Sequence, residues 1–458
     1  MYRFKQFTLF LGDMAGLFLG LYLAVYLRNL ALTGHKLSDL LAPMTILFIL
    51  AAVILFIAGL YDITKAKNNF KFFQKIIIAA LSWMVIGVLY FYIRPQQNVS
   101  PKTILLLTVV IGFGIISGWR FLYNKFISTN VWQLNVTFAG ITDEVKELIK
   151  FIQNEPQSGY FVVGIISRNE ADKNIFPDLP FGKTIEEIKL QNQTRPINLI
   201  VLSPQLTSDE ELLKNLYKSL FEQISIVSLA DFYQTLMARI PPFTFSEGWF
   251  IAHLQEQQKK IYDRIKILAD YLFGVIIGLF FAITYPFIVL AIKLDSKGAV
   301  FFSQKRIGRG GAQFTIYKYR TMKSLAADGS AETQGPQFAA TADNRVTEVG
   351  KFLRATRLDE IPQFINILKG EMSIIGPRPE RPEFVEQLTQ KMPYYPLRHL
   401  IKPGLTGWAQ LHRSYYGTIE ENLRKLEYDL YYIKNRGFML DLSIALHTVN
   451  TVLKMMGR

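Results

Sequence analysis

The sequence predicts a membrane protein in three parts: a four-helix transmembrane region, a Rossmann-like α/β domain, and a C-terminal α+β domain carrying a re-entrant membrane helix. Three observations predict it. Half of the 458 residues are hydrophobic, which is high for a soluble protein. Uncharged runs near the ~20 residues needed to cross a bilayer crowd the first quarter of the chain. Beyond them, short apolar runs alternate with amphipathic ones, the signature of βαβ units.

The first apolar run, 7–27, follows Arg3 and Lys5 and is interrupted only by Asp13. It is too long for a cleavable signal. Runs at 40–61, 76–93 and 103–119 follow, giving four spans within residues 1–128. The second connection holds Lys65, Lys67, Lys71 and Lys75, the first only Arg28 and Lys36, the third Arg94 and Lys102. Positive-inside reasoning therefore puts the N-terminus, the second connection and everything after Arg120 in the cytoplasm. Asp13 is given no role.

Residues 134–255 read as the Rossmann-like domain. Strands are expected at 136–140, 160–166, 197–202 and 224–229, helices at 144–153, 184–190 and 209–221. A dinucleotide site needs glycines where the first strand turns into the first helix. Here that turn has Gly140 alone, followed by Asp143 and Glu144, which repel pyrophosphate; the domain is expected to be structural, dimerising or regulatory. Tyr262 and Lys266 make the Tyr-x-x-x-Lys spacing of short-chain dehydrogenases, but so do Tyr61 and Lys65 at a membrane edge, so the spacing carries no signal.

Residues 260–458 form the third part. Its apolar run, 271–292 in a helix placed at 267–292, is flanked by Lys259, Lys260, Arg264 and Lys266 on one side and Lys293, Lys297, Lys305, Arg306 and Arg309 on the other. Both flanks ask for the same side of the membrane. Pro286 removes a helical hydrogen bond, so a helix that breaks there and returns is expected, with Thr284 available to satisfy freed carbonyls. A hairpin and a basic strand at 301–322 follow, with Lys318 and Arg320 two apart on one face. Residues 326–341 read as a polar loop, 402–410 as a glycine-punctuated loop, and 420–435 and 441–456 as helices.

The stretch 351–384 concentrates the chemistry. With Asp359 as N-cap, Ile361, Phe364, Ile365 and Leu368 make one apolar helical face, and Gly370 stops the helix. Asp359 and Glu360 then stand at a helix N-terminus, where backbone amides favour negative charge. A carboxylate pair at a helix start is by itself ordinary capping. Its company is not ordinary: Arg354 and Arg357 precede it, and Gly376-Pro377-Arg378-Pro379 holds a third arginine in a stiff turn. Two carboxylates among guanidinium groups suit a divalent metal and a phosphorylated substrate. The net charge of +14, without any RNA-binding or zinc-finger signature, favours anionic lipid or phosphorylated substrates over nucleic acid. The absence of cysteine excludes disulfides, thiol nucleophiles and thiolate metal sites.

The blocks QKRIGRGG, YKYRTM, DNRVTEVG, RLDEIPQFINILKGEMSIIGPRPERPEF, KPGLTGWAQ and KLEYDLYYIKN together resemble the catalytic domain of bacterial sugar transferases, the polyprenyl-phosphate hexose-1-phosphate transferases that begin exopolysaccharide, O-antigen or capsule synthesis. The four spans and the degenerate Rossmann-like domain resemble the large members of that family. The resemblance implies transfer of a sugar 1-phosphate from a UDP-sugar to undecaprenyl phosphate at the bacterial inner membrane, with Mg²⁺ and release of UMP. Carried over, Asp359 is the nucleophile, Glu360 a metal ligand, and Lys318, Arg354 and Arg378 the groups around the phosphates. Arg320, Arg357 and Asp429 complete the substrate-binding candidates, Asp429 as a recurrent family acid without an assigned job. Tyr285-Pro286 falls where the family breaks its re-entrant helix, and a homodimer is implied. Two other classes fit parts of the pattern: a membrane-bound nucleotide-sugar epimerase or dehydratase, which needs a glycine-rich turn, and a non-catalytic scaffold of polysaccharide assembly, which needs no carboxylate pair.

Overall fold

The computed structural model describes residues 2–31, 37–63, 68–93, 102–125, 133–206, 214, 216–217, 220–242, 247–254, 259–323, 345–412 and 418–453. The chain divides into two compact units, Met1–Phe232 and Tyr233–Arg458.

The first unit opens with helices Tyr2–Ala31, Leu37–Ile57, Phe70–Ile93 and Lys102–Leu122, all long and apolar enough to cross a membrane. Leu17, Leu21, Leu47, Phe48 and Trp83 are buried between them, whereas Ile49, Ile77, Val85 and Val110 point outward as lipid-facing residues do. The first and fourth helices touch through small residues: a Cβ on Gly20 would lie 2.5 Å from the Gly112 Cα, so the two backbones are in contact. Between the same helices Asp13 is fully buried and paired. Arg120 donates its Nε to Asp13 Oδ1 at 3.0 Å and Nη2 to Oδ2 at 2.6 Å, and a third bond goes to the Leu60 carbonyl at 2.6 Å.

The same unit contains a five-stranded sheet of order β3-β2-β1-β4-β5, formed by β1 (Leu134–Ala139), β2 (Tyr160–Ile166), β3 (Phe181–Gly182), β4 (Leu199–Leu202) and β5 (Ser225–Ser228). All pairings are parallel. Val136, Phe138, Val163, Ile165, Ile200 and Val201 are buried, the near-continuous burial of strands covered on both faces. Crossover helices Asp143–Asn154 and Ile185–Gln191 begin on Thr142 and Thr184, whose hydroxyls accept the N–H groups of Val145 and Glu187. At Gly140 the backbone is left-handed (φ 91°), and the helix start beyond it is filled by its own threonine cap. β3 is two residues long and leaves no pattern to read. Most of the helix expected at 209–221 lies outside the described residues, as does the loop at 326–341.

The second unit begins with residues that precede its long helix: Trp408 donates to the Ala238 carbonyl at 2.9 Å and Arg239 to Glu427 at 2.7 Å. Helix Lys260–Asp295 follows, 36 residues in one element with Pro286 inside it. The expected helix-break-helix is thus one helix, in which the Thr284 hydroxyl bonds the Phe280 carbonyl at 2.8 Å just before the proline. One side is packed: a Cβ on Gly274 would lie 3.0 Å from Leu368, and one on Gly278 3.0 Å from Phe364. Leu272, Leu279, Ile283, Phe287 and Leu290 on its remaining surface are exposed.

Instead of a hairpin followed by a basic strand, the basic strand is itself the second arm: β6 (Phe301–Ile307) pairs antiparallel with β7 (Gln313–Tyr319). Gly310 and Gly311 turn the hairpin with positive φ. The loop expected at 402–410 contains a strand, β9 (Gly404–Thr406), which runs parallel to β8 (Ser373–Ile375). Glycine permits this: a Cβ on Gly404 would lie 2.0 Å from the Gly376 nitrogen and one on Gly407 2.1 Å from the Gly376 carbonyl oxygen. Helices Ile419–Asn435, with a capping box of Thr418 and Glu421, and Phe438–Leu453 complete the unit.

Candidate active site

Asp359 and Glu360 do not stand at an α-helix N-terminus. Arg357 adopts a left-handed conformation (φ 62°, ψ 15°), and a 3-10 turn, Leu358–Gln363, carries both carboxylates before helix Phe364–Leu368 begins. Proline explains the difference: Pro362 has no N–H to give and disfavours α geometry at Ile361, so the chain closes tighter turns first. Gly370 ends the helix with φ 75°, as expected. Asp359, Glu360, Ile361, Pro362, Gln363, Asn366 and Ile367 are buried, while Phe364 and Leu368 meet the long helix.

Charge around the pair comes from side chains rather than a helix dipole. Lys318, near the end of β7, donates to Glu360 Oε1 at 2.7 Å. Arg378 reaches the same oxygen at 2.9 Å, and Arg357 lies 3.6 Å from Oε2. Arg354 donates to the Thr321 hydroxyl at 2.8 Å, close enough for its charge to act on Asp359. Asp359 is buried, and its Oδ1 has no hydrogen-bond partner. Burial and the neighbouring Glu360 raise the Asp359 carboxyl from 3.8 to about 6, against the pull of Lys318, Arg354 and Arg378. Burial opposes charge on Glu360 too, but Arg378, Lys318 and Arg357 outweigh it and hold that carboxyl well below the ordinary range. Two adjacent carboxylates are thereby pushed apart: one anchored as an anion, the other titrating near neutrality.

Arg378 is held by its turn. The Pro377 carbonyl accepts from Gly404 N–H at 2.8 Å, the Arg378 carbonyl from Arg398 at 2.8 Å, and the Pro379 carbonyl from Arg306 at 3.2 Å. Asp429 supports this from behind rather than entering the cluster: it is buried and paired with Arg398 at 2.8 Å. Burial raises the Asp429 carboxyl, with Arg398 opposing. Glu380 beside them is half-buried, and Lys425, Arg398 and Arg306 bring its carboxyl down to about 2 against the pull of burial. Arg320 does not join Lys318 at the carboxylates. It follows the strand end and donates to the carbonyls of Ser296 and Lys297 after the long helix.

Arg398, Glu380, Arg306 and Lys425 were not singled out from the sequence. The available signal was an arginine inside Tyr395-Pro-Leu-Arg-His-Leu-Ile, a cation amid apolar residues that demands a buried partner. Tyr262 and Lys266 both bond Asp441 Oδ2, at 2.6 and 3.0 Å; they tie the long helix to helix Phe438–Leu453.

Among the described residues no group of three or more Asp, Glu or His side chains could hold a metal ion. Mg²⁺ asks for less: it takes one or two carboxylates together with substrate phosphates. The unpartnered Asp359 Oδ1 beside Glu360 fits that need.

A buried carboxylate pair ringed by cations, on a unit whose long helix exposes an apolar face, defines a membrane-associated enzyme that handles anionic groups. The family described as "Bacterial sugar transferase" matches residues 261–455. Over 96% of its length the chain is 28% identical to the UDP-glucose:undecaprenyl-phosphate glucose-1-phosphate transferase of Klebsiella pneumoniae, covering 93% of that protein. It is 44% identical to the UDP-N-acetylgalactosamine-undecaprenyl-phosphate N-acetylgalactosaminephosphotransferase of Aeromonas hydrophila over 45% of this chain, spanning about half (49%) of that relative. It is 38% identical, over 42% of its length, to the UDP-glucose:undecaprenyl-phosphate glucose-1-phosphate transferase of Caulobacter vibrioides, covering 70% of it. The chain belongs to the bacterial sugar transferase family of enzymes.

Proposed function

We propose that this chain moves a sugar 1-phosphate from a UDP-sugar to undecaprenyl phosphate and releases UMP. The observation that carries the proposal is Asp359, buried, with a free oxygen, beside a glutamate held by Lys318, Arg378 and Arg357. The names of the relatives support the two substrates. An Asp359 oxygen attacks the sugar-bearing phosphorus, the bond to the UMP oxygen breaks, and an aspartyl phosphosugar forms. A phosphate oxygen of undecaprenyl phosphate then attacks the same phosphorus and frees Asp359. Each step exchanges one phosphorus–oxygen bond for another, so no ATP is needed. Lys318, Arg354 and Arg378 neutralise charge on the phosphoryl oxygens, which lets one anion approach another. Mg²⁺, held by Glu360 beside the nucleophile, would supply further neutralisation of the diphosphate.

The lipid substrate calls for a membrane seat, and the long helix supports a re-entrant one at the cytoplasmic face of the inner membrane. It bonds its own unit near both ends: Lys259 reaches the carbonyls of Ile433 and Lys434, and Asp295 takes the Val349 N–H at 3.0 Å. Lys260, Arg264 and Lys266 before its apolar run and Lys293 and Lys297 after it favour the same face of the membrane for both ends. Residues 134–232 serve as a non-catalytic domain, with homodimerisation as its role, while 233–255, expected with that domain, belong to the catalytic unit.

The test supplies membranes with UDP-sugars labelled in the sugar, undecaprenyl phosphate and Mg²⁺. Wild-type chain labels the lipid fraction and releases UMP, and an acid quench traps label on protein that Asp359→Asn does not carry. Equal lipid labelling by Asp359→Asn overturns the nucleophile assignment; conversion of the free nucleotide-sugar without lipid labelling places the chain in the epimerase class. Cysteines introduced near Lys260 and Lys297 both resist an impermeant reagent from outside if the helix re-enters, and only one does if it crosses.

A further inference from the structure

We infer that Asp270, on the packed face of the long helix, is a positioning residue that sets Arg378 against Asp359 and Glu360; the inference rests on the site just proposed. Asp270 is the buried acid of that helix. Its Oδ1 accepts the Ser373 hydroxyl at 3.0 Å and the Ile374 N–H at 2.9 Å. Both donors belong to β8, three residues long, which leads without a break into Gly376-Pro377-Arg378.

The same stripe of the helix governs the other half of the site. Asp270, Gly274 and Gly278 recur every four residues and so share a face. Gly274 fits against Ile367 and Leu368, and Gly278 against Phe364, residues that continue directly from the carboxylate turn. One rigid helix thus touches the strand feeding the arginine and the helix following the carboxylates. A strand this short has little register of its own. On one side β9 supplies backbone bonds, with Ser373 N–H donating to Pro403 and Gly376 N–H to Thr406, each at 2.9 Å; on the other side Asp270 supplies the stop. Loss of that stop lets β8 slide along the helix and carries Arg378 away from Glu360 Oε1, 2.9 Å from it now.

The decisive measurement is a double-variant cycle on purified protein in detergent or nanodiscs, reading lipid transfer. Asp270→Ala is expected to lower kcat by about tenfold or more with KM for the UDP-sugar little changed, because misplacement by about an ångström is enough for such a loss. Asp270→Asn, which keeps an acceptor oxygen, is expected to restore most of the rate. Arg378→Gln lowers kcat, and adding Asp270→Ala lowers it no further, since residues acting through one another are not additive. Thermal unfolding of each variant separates misfolding from misplacement, and Ser373→Ala, which removes one of the two donors to Asp270 and is expected to lower kcat in the same direction, carries the cycle where Asp270→Ala does not fold. Full multiplication of the two losses, or an unchanged kcat in folded Asp270→Ala, overturns the inference. A fully active Arg378→Gln instead sinks the site assignment beneath it, a different and separable result.

Discussion

Replacing Asp359 with asparagine is expected to abolish transfer and, at the same time, to stabilise the resting protein at neutral pH. The folded carboxyl titrates at about 6 against an ordinary 3.8. Proton binding to Asp359 therefore favours the fold fully below about pH 4, and that contribution is gone above about pH 6. At pH 7 the ionised Asp359 costs up to ~3 kcal/mol relative to a neutral group of the same shape. For a unit of this size, that corresponds to a rise in unfolding midpoint of roughly 6–12 °C. The assay is thermal unfolding of wild type and Asp359→Asn in detergent, without substrate or divalent cation, at pH 4 and pH 7. The gain should appear at pH 7 and vanish at pH 4. A variant midpoint at or below wild type at pH 7, or an equal gain at both pH values, refutes the argument that this carboxylate is held ionised at a cost.

Ionisation of the same group predicts that kcat/KM for the UDP-sugar rises about tenfold between pH 5 and pH 7; a flat profile over that range contradicts a nucleophile with this environment. Asp429→Asn leaves the buried Arg398 charge without its carboxylate and should cost ~3–5 kcal/mol in denaturant unfolding, whereas the pair Asp429→Leu with Arg398→Met should cost clearly less. Lys318→Gln should lower transfer strongly. Arg320→Gln should instead lower the unfolding midpoint, by the ~1–3 kcal/mol of its lost carbonyl bonds, and leave KM unmoved; matched losses of activity in the two variants would show that Arg320 also meets substrate.

What was legible in the chain followed locality. β2 appears where its apolar run stands, at 160–166, because a strand buried on both faces must be apolar throughout. The cluster of Asp359, Glu360, Arg357 and Arg378 was legible because its members lie within one short stretch. Lys318 comes from a strand 42 residues away, and the resemblance to the family, not local spacing, singles it out; alternation pairs it with Arg320, whose guanidinium bonds the carbonyls after the long helix instead. The carboxylate turn departs from the expected α-helix because Pro362, tolerable in a first helical turn in general, here disfavours α geometry at Ile361 and the chain closes 3-10 turns first. Pairings such as Arg398 with Asp429 depend on tertiary contact 31 residues apart, which no spacing rule reaches. Asp270 is hidden for a related reason: it directly precedes the apolar run, where an acid reads as the edge of the membrane segment.

The pair of Asp13 and Arg120 bears on how the chain is made. The two residues are 107 positions apart, so at ~5–20 residues added per second the first helix waits roughly 5–20 s for its counter-charge. During that interval a bare carboxylate sits in a helix bound for the bilayer, at an insertion cost of ~2.5–3.5 kcal/mol if it reaches the centre. Biogenesis of the first unit is consequently ordered: the opening helix stays loosely engaged, near the surface or in the insertion machinery, until the fourth helix is delivered to lock it. Chains truncated before Arg120 should leave their first segment extractable and protease-sensitive, although that segment is apolar enough by composition to remain.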